Sequence, residues 1–325
     1  MLKSYIEIIA LYKIERKYKD FNTLLLIKMP IKMFYAGFGI GYSIENSDTL
    51  SKFFSNPEDK IVDNINDSNV LVIGSFVQQH EVQLIFFYKG IKILFITEPI
   101  GKLQYLLLAG QIYQNDLSNY YIGCVTNKPN KCIKYSIFWD YNANFNSINE
   151  YVSTCSLEGK QFCTLISRHD PGNTRIHIAR ELSKISNIVC PGNLFNNCSN
   201  EELNRIHPPE FIKKFVFNIC GENFGSSHPG YITEKLWNCA LGGAIPIYFG
   251  KLDDVDEKIF NSKRILFLNE NNTVEIAQRV LELVKNPKLL ESFYRQPVFM
   301  DTAQEAMQGM IEGMRAFFKG VSESV

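Results

Sequence analysis

Along the first half of the chain, four apolar runs stand between polar segments: IKMFYAGFG at 31–39, NVLVIGSFV at 69–77, VQLIFFY at 82–88 and IKILFIT at 91–97. Short apolar runs bounded by turn residues predict strands, some joined tightly and some through helices such as DTLSKFF. The second half repeats a cleaner unit. FCTLIS (162–167) leads through a polar turn to TRIHIARELSKI (174–185), and FVFNIC (215–220) leads through another to TEKLWNCAL (233–241) and on to AIPIYF (244–249). Strand, turn, helix, strand predicts an α/β fold whose parallel sheets carry helices on their faces.

The polar segment DYNANFNSINEY at 140–151 has no hydrophobic period and predicts a linker. It divides the chain into a first domain over 1–150, with residues 1–30 an unplaced extension, and a second over 151–325. The C-terminal stretch keeps Ala303, Ala306, Met307, Met310, Met314, Phe317 and Phe318 at helical spacing, with Asp301 as the cap and Gly320 as the stop. This stripe predicts a packing helix over 301–319, placed to return to the first domain.

With 325 residues and 46% hydrophobic content, two well-packed domains are within reach. The 34 basic and 34 acidic residues cancel, which argues against a nucleic-acid or anionic-membrane partner and favours a small or neutral one. Lys89 and Lys92 interrupt the longest apolar stretch well short of the ~20 residues of a transmembrane helix. Glu7 within the first apolar run, and the lack of a small-residue cleavage site after it, argue against a signal peptide. The chain reads as soluble. Eight cysteines without a C-x-x-C pair, with Cys163, Cys220 and Cys239 inside apolar runs, read as reduced structural thiols.

The candidate chemistry lies in the second half. Arg175 follows Thr174, a candidate cap, and Lys235 follows Thr233 in the same position of the next unit. A cation in the first turn of a helix opposes the helix dipole. Two such cations on equivalent turns suggest a shared anion, and a diphosphate can accept from a guanidinium, an ammonium and backbone N–H groups together. Beside such a site Tyr231 could pack against a base or ribose, while Asn223 and Glu234 could hydrogen-bond sugar hydroxyls.

The stretch 215–250, FVFNICGENFGSSHPGYITEKLWNCALGGAIPIYFG, resembles the signature of the α1,3/4-fucosyltransferases of glycosyltransferase family ten: F-E-N, a short polar turn, Y-[IV]-T-E-K, then a small-residue strand containing proline. A looser similarity runs back through LISRHDPGNTR to IKMFYAGFG and forward to about residue 300. The resemblance implies a GT-B fold, two Rossmann-like domains facing across a cleft, with the C-terminal one binding GDP-fucose. It implies that Arg175 and Lys235 bind the phosphates and that Asn223, Tyr231 and Glu234 contact ribose or fucose. It also aligns Glu98, in KILFITEPI, with the general base of an inverting transfer to a glycan hydroxyl, with O3 of N-acetylglucosamine as the implied acceptor. No metal and no cofactor beyond the donor are required. Animal and plant members are membrane-anchored, so a chain without an anchor resembles the cytoplasmic bacterial or viral form, or a Golgi-lumenal enzyme trimmed of it. This chain departs from the family at Gly221, Gly230 and Arg168, all beside the donor residues.

Other readings remain open. DVD at 254–256 is an Asp-x-Asp candidate for a metal-dependent glycosyltransferase, or the acid-rich start of a helix. AGFGIG at 36–41 lacks the third glycine of a dinucleotide fingerprint, since Tyr42 stands there. His228 is a turn residue or a substrate contact. A transferase of another nucleotide sugar, or an inactive nucleotide- or glycan-binding homologue, would keep the same donor motif.

Overall fold

Val70–Ile73 are four consecutive apolar residues without alternation, and all four are buried, as in a strand covered on both faces. In the computed structural model, which describes residues 29–38, 50–96, 112, 115–123, 131–136, 139–170, 172–198, 207–223 and 229–325, they belong to a six-stranded parallel sheet. Its strands are β1 (Lys32–Ala36), β2 (Lys60–Ile61), β3 (Val70–Ile73), β4 (Ile91–Ile96), β5 (Tyr120–Gly123) and β6 (Cys132–Ile133), in the order β2-β1-β3-β4-β5-β6. A second parallel sheet holds β7 (Gln161–Thr164), β8 (Ile188–Val189), β9 (Phe215–Gly221), β10 (Ile245–Phe249) and β11 (Leu266–Leu268), in the order β11-β10-β9-β7-β8.

Among the described residues the helices are α1 (Val82–Phe87), α2 (Phe145–Thr154), α3 (Thr174–Ser183), α4 (Pro208–Ile212), α5 (Glu234–Gly242), α6 (Thr273–Lys285), α7 (Pro287–Tyr294) and α8 (Ala303–Ser324). In the second sheet the chain moves from β7 outward to β8, then crosses to the other side of β7 for β9. The loops after β7 and β9 therefore diverge at the carboxyl edge, and this reversal opens the crevice where doubly wound sheets bind ligands.

Four expectations change. The run 82–88 is not a strand: a capping box between Gln78 and Glu81 starts a short helix there, burying Ile85. Of DTLSKFF, the described residues 50–54 form a 3₁₀ turn at Ser51–Phe53. The segment 140–151, expected as an irregular linker, lies between the two sheets in the chain but is helical from Phe145 as α2, because Asn144 accepts the Ser147 N–H while Phe145 and Val152 reach the core. Its Asn149 accepts from the N–H groups of Val298 and Phe299 and donates to the Phe299 carbonyl, so a residue that reads as loop-forming is used for docking. Finally, α8 runs through Gly320 to Ser324, and Thr302, not Asp301, stands at its N-cap position without a side-chain cap, so neither Asp301 nor Gly320 bounds it as expected. Ala303, Met307, Met310, Met314 and Phe318 are buried along one stripe. Phe318 stacks on Phe53 at 6.4 Å, and Phe317 meets Tyr120 of β5 edge-on at 5.2 Å.

The two sheets share one hydrophobic cluster, to which Trp139 and Trp237 contribute a stacked pair 5.6 Å apart. Beside it Lys134, which follows β6, donates to Asp253 at 2.7 Å and to Asp256, both beyond β10. Gly230 packs here with φ +78°, and a Cβ on it would collide with the Asp253 carboxylate. Asp256 is fully buried, and burial pushes its carboxyl up to about 7 although Lys134 draws it down. Burial also disfavours the Asp253 carboxylate, but Lys134 and backbone N–H donors outweigh this and hold its pKa below the ordinary value.

The folded state binds a proton at Asp256 that the unfolded chain releases near pH 4, so this contribution is present below that pH and is lost as pH rises through about 7. Asp253 contributes in the opposite sense, losing its share as pH falls. Comparing Asp256→Asn with wild type by urea unfolding should therefore show a wild-type advantage larger at about pH 5 than at about pH 8, by about 1–3 kcal/mol. An advantage that grows toward pH 8 would refute the assignment.

Among the described residues no helix is long and apolar enough to cross a membrane. Among the described residues Cys155, Cys163, Cys190, Cys220 and Cys239 are free thiols. Cys163, Cys220 and Cys239 are buried, as their sequence surroundings suggest, and burial pushes the thiols of Cys163 and Cys220 up.

Candidate donor-binding site

At the carboxyl edge of the second sheet lies a cleft of about 660 Å³, walled by the segment after β7, the end of β9, and the first turns of α3 and α5. Arg175 and Lys235, sixty positions apart in the chain, both line it. Asn223 and Glu234 line it too. Tyr231 does not: its ring is 2% exposed and is absent from the cleft lining. Glu98 and His228 lie outside the described residues, as do Gly39 and Gly41 of the glycine-rich stretch.

Arg175 is 2% exposed, and its guanidinium is bonded on every side. Nε and Nη2 donate to the Gly221 carbonyl, Nη2 also donates to Asn223 Oδ1 at 3.0 Å, and Nη1 donates to Ser167 Oγ at 3.3 Å and to the His169 carbonyl. Five N–H groups thus meet five contacts, the condition under which a buried arginine is tolerated. Burial lowers its pKa from the usual value, and Asp170 and Glu222 partly offset the effect. Gly221 leaves the room for this: a Cβ there would stand 3.2 Å from Arg175 Nε and 3.1 Å from Phe249 Cβ. A larger residue, which the resemblance would place here, would have to displace the guanidinium.

The cap of α3 differs from the expected one. Thr174 is the first helical residue, after Asn173 in the left-handed region at φ 58°. The capping acceptor is Asp170, whose Oδ2 takes the Ile176 N–H at 2.8 Å. An acid from upstream therefore meets the positive end of the helix that Arg175 disfavours. In α5 the cap is Thr233 as expected, accepting the Lys235 N–H at 3.5 Å.

Lys235 also has internal counter-charges. Its Nζ lies 3.0 Å from Thr233 Oγ1, 3.1 Å from Glu234 Oε1 and 3.7 Å from Glu222 Oε2. Burial works against the ammonium, but the two carboxylates outweigh it and raise its pKa above the ordinary lysine value. Burial would likewise raise Glu234, yet Lys235 and its hydrogen bonds hold that carboxyl below the usual range. Glu222 is the residue that sequence reasoning missed. It stands inside the F-E-N element of the signature, so the motif itself carried the signal, but nothing local showed that its carboxylate points inward to the start of α5. Arg168, noted as a departure from the family, is an exposed cation on the cleft lining beside His169.

The Asp-x-Asp candidate splits. Asp254 is exposed, while Asp256 is buried against Lys134 and accepts the Asp253 N–H at 3.0 Å. Its carboxylate is committed to linking the sheets, so the pair does not form one ligand face. Among the described residues no cluster of three or more His, Cys, Asp or Glu is placed to hold a metal.

Two parallel Rossmann-type sheets, the second with a cationic cleft at its reversal point, define a GT-B fold. Residues 156–310 match the model of glycosyltransferase family 10 (fucosyltransferase), C-terminal part. Over 149 residues, 46% of this chain, it is 30% identical to 4-galactosyl-N-acetylglucosaminide 3-alpha-L-fucosyltransferase 9 of Cricetulus griseus; the match spans 40% of that relative's length. In fold it is similar to the crystal structure of an α1,3-fucosyltransferase, with a TM-score of 0.65 at 16% identity over 94% of this chain and 93% of that one. It is similar also to an α1,3-fucosyltransferase with GDP-fucose, with a TM-score of 0.58 at 14% identity over 91% and 94% of the two chains.

Proposed function

We propose that the protein transfers L-fucose from GDP-fucose to a glycan hydroxyl, with inversion at the anomeric carbon. The observation that carries this reading is the convergence of Arg175 and Lys235 on one cleft at the switch point of the second sheet. The printed name of the relative, a 3-alpha-fucosyltransferase of N-acetylglucosaminides, and the solved fucosyltransferase with GDP-fucose support the choice of sugar and acceptor. On that basis the acceptor is O3 of an N-acetylglucosamine.

In this scheme the diphosphate lies between the first turns of α3 and α5. The Arg175 carbonyl partners are fixed backbone, whereas Ser167 Oγ and Asn223 Oδ1 are side-chain partners that can yield a guanidinium N–H to a phosphate oxygen. Lys235 supplies the second cation. Asn223 and Glu234 take sugar hydroxyls, and Tyr231 supports the turn that carries them. Glu98, two residues beyond β4, accepts the proton of the acceptor hydroxyl as it attacks from the face opposite GDP. The β-linked donor becomes an α-fucoside, and the negative charge gathering on the departing diphosphate is stabilised by Arg175 and Lys235. The scheme routes no step through a metal ion.

Calorimetry with GDP-fucose, GDP, UDP-galactose and NAD tests the donor. Only the guanosine diphosphate compounds should bind, and Lys235→Ala should weaken them tenfold or more, since a hydrogen bond to a charged group contributes about 1.5–3 kcal/mol. Equal binding of UDP-galactose, or an unchanged Lys235→Ala variant, would remove the reading. The alternative of an inactive homologue predicts GDP binding by wild type with neither transfer nor hydrolysis of GDP-fucose.

A further inference from the structure

A carboxylate without solvent contact needs a cation and hydrogen-bond donors around it. Glu222, 1% exposed, directly follows β9 and is covered by α5 and β10. Its Oε1 accepts the Thr233 N–H at 2.9 Å and lies 3.4 Å from the Tyr248 hydroxyl, while Oε2 accepts from Thr233 Oγ1 at 2.6 Å. The ammonium of Lys235 is its ion-pair partner, 3.7 Å from Oε2. The two residues differ in access. The Lys235 side chain is 21% exposed on the cleft wall, whereas the Glu222 side chain is 0% exposed behind it. Glu234, the other acid near the ammonium, is 46% exposed on the cleft side, where solvent and ligand compete for it.

The charges around Lys235 act in opposite directions. Burial, Arg175 and the positive end of α5 all favour a neutral amine. Glu222 and Glu234 favour the ammonium and prevail; at Glu222 burial raises the carboxyl above its ordinary value, and Lys235 and the Thr233 hydrogen bonds are what draw it back toward the charged form. A neutral amine would lose the charge-assisted bond to a phosphate. Thr233 joins the two halves of this arrangement, since one hydroxyl donates to Glu222, accepts from Lys235 Nζ and caps the helix that carries Lys235.

We propose that Glu222 is a positioning residue of the donor cleft: from behind the wall its carboxylate keeps Lys235 an ammonium and, through Thr233, fixes it at the start of α5. This deepens the donor reading and rests on it. Glu222 itself touches neither donor nor acceptor.

The test uses the full chain as wild type, Glu222→Gln, and Glu222→Gln combined with Lys235→Arg. Two quantities are followed against pH: titration of Lys235 by NMR after ¹³C reductive methylation, and calorimetric binding of GDP. Loss of the carboxylate should move the lysine titration to lower pH. GDP affinity should stay comparable to wild type near neutrality and fall about tenfold or more at the basic end of the profile, where wild type still binds. Lys235→Arg in the Glu222→Gln background should restore the basic end, because a guanidinium stays charged there. Should Glu222→Gln fail to fold, Glu222→Asp draws the charge back by one methylene and must move the titration in the same direction.

A titration unmoved in either variant, or a uniform loss of affinity at every pH without rescue by arginine, overturns the proposal and leaves Glu222 a packing residue. The donor reading fails separately. If wild type binds no GDP while the lysine titration still moves with Glu222, the positioning role stands and the nucleotide does not.

Discussion

Replacing Glu98 by Gln should lower the rate of fucosyl transfer by about 10²–10⁴-fold, the usual contribution of a general base, while GDP affinity stays that of wild type. The amide matches the carboxylate in shape but cannot accept the proton that the attacking hydroxyl must lose. The expectation follows from chain position: β4 is a central strand of the first sheet, its carboxyl end is at Ile96, and Glu98 is two residues further along. In parallel sheets the groups that do chemistry collect beyond that edge. The decisive comparison is between the two readouts. A parallel loss of transfer and of GDP binding would make Glu98 a folding residue, and a rate near wild type would place the base elsewhere.

The second large effect concerns Arg175. Arg175→Ala should destabilise the fold by about 3 kcal/mol, because the buried Gly221 carbonyl loses both of its guanidinium donors, and should abolish measurable GDP binding, because the cleft loses one of its two inner cations. Stability loss alone would not establish a donor role, and Arg264 supplies the control. It is 1% exposed and donates to the carbonyls of Tyr294, Ala244 and Gly243 at 2.7–3.1 Å, behind the end of α5 and away from the cleft lining. Burial lowers its pKa to about 10. Arg264→Ala should therefore lower the urea midpoint to a comparable extent while the folded fraction still binds GDP normally. If Arg175→Ala behaves in the same way, with intact GDP affinity per folded molecule, Arg175 is only a strut between β7 and β9 and the phosphate assignment is lost.

Cations at the starts of α3 and α5 do oppose the dipole. In each case, however, the protein also provides an acid of its own: Asp170 caps α3, and Glu222 with Glu234 flanks Lys235. The misplacement therefore does not by itself require a ligand. What supports a ligand is that both cations border the same cleft.

The apolar run at 82–88 shows a related limit. Six apolar positions without a period fit strand and buried helix equally well, and the deciding feature, the Gln78–Glu81 box, lies in the polar residues before the run. In α2 the asparagines that suggested a linker serve as a cap and as a docking group. Both misreadings come from giving weight to apolar content alone.

The sequence by itself determined β1, β3, β4, β7, β9 and β10, the α3 and α5 units, the buried thiols and the signature from 215 to 250, because these depend on neighbours within a few residues: short apolar runs, helical spacing, and caps such as Thr233. Only the tertiary structure decided which distant groups share a site. Lys134 meets Asp253 across 119 positions, Arg175 reaches Gly221 and Asn223 across 46 and 48, and the Glu222 side chain turns inward to the start of α5. Those pairings are set by the order of strands in the sheets and by the need to satisfy every buried charge, and neither is encoded in the spacing of residues along the chain.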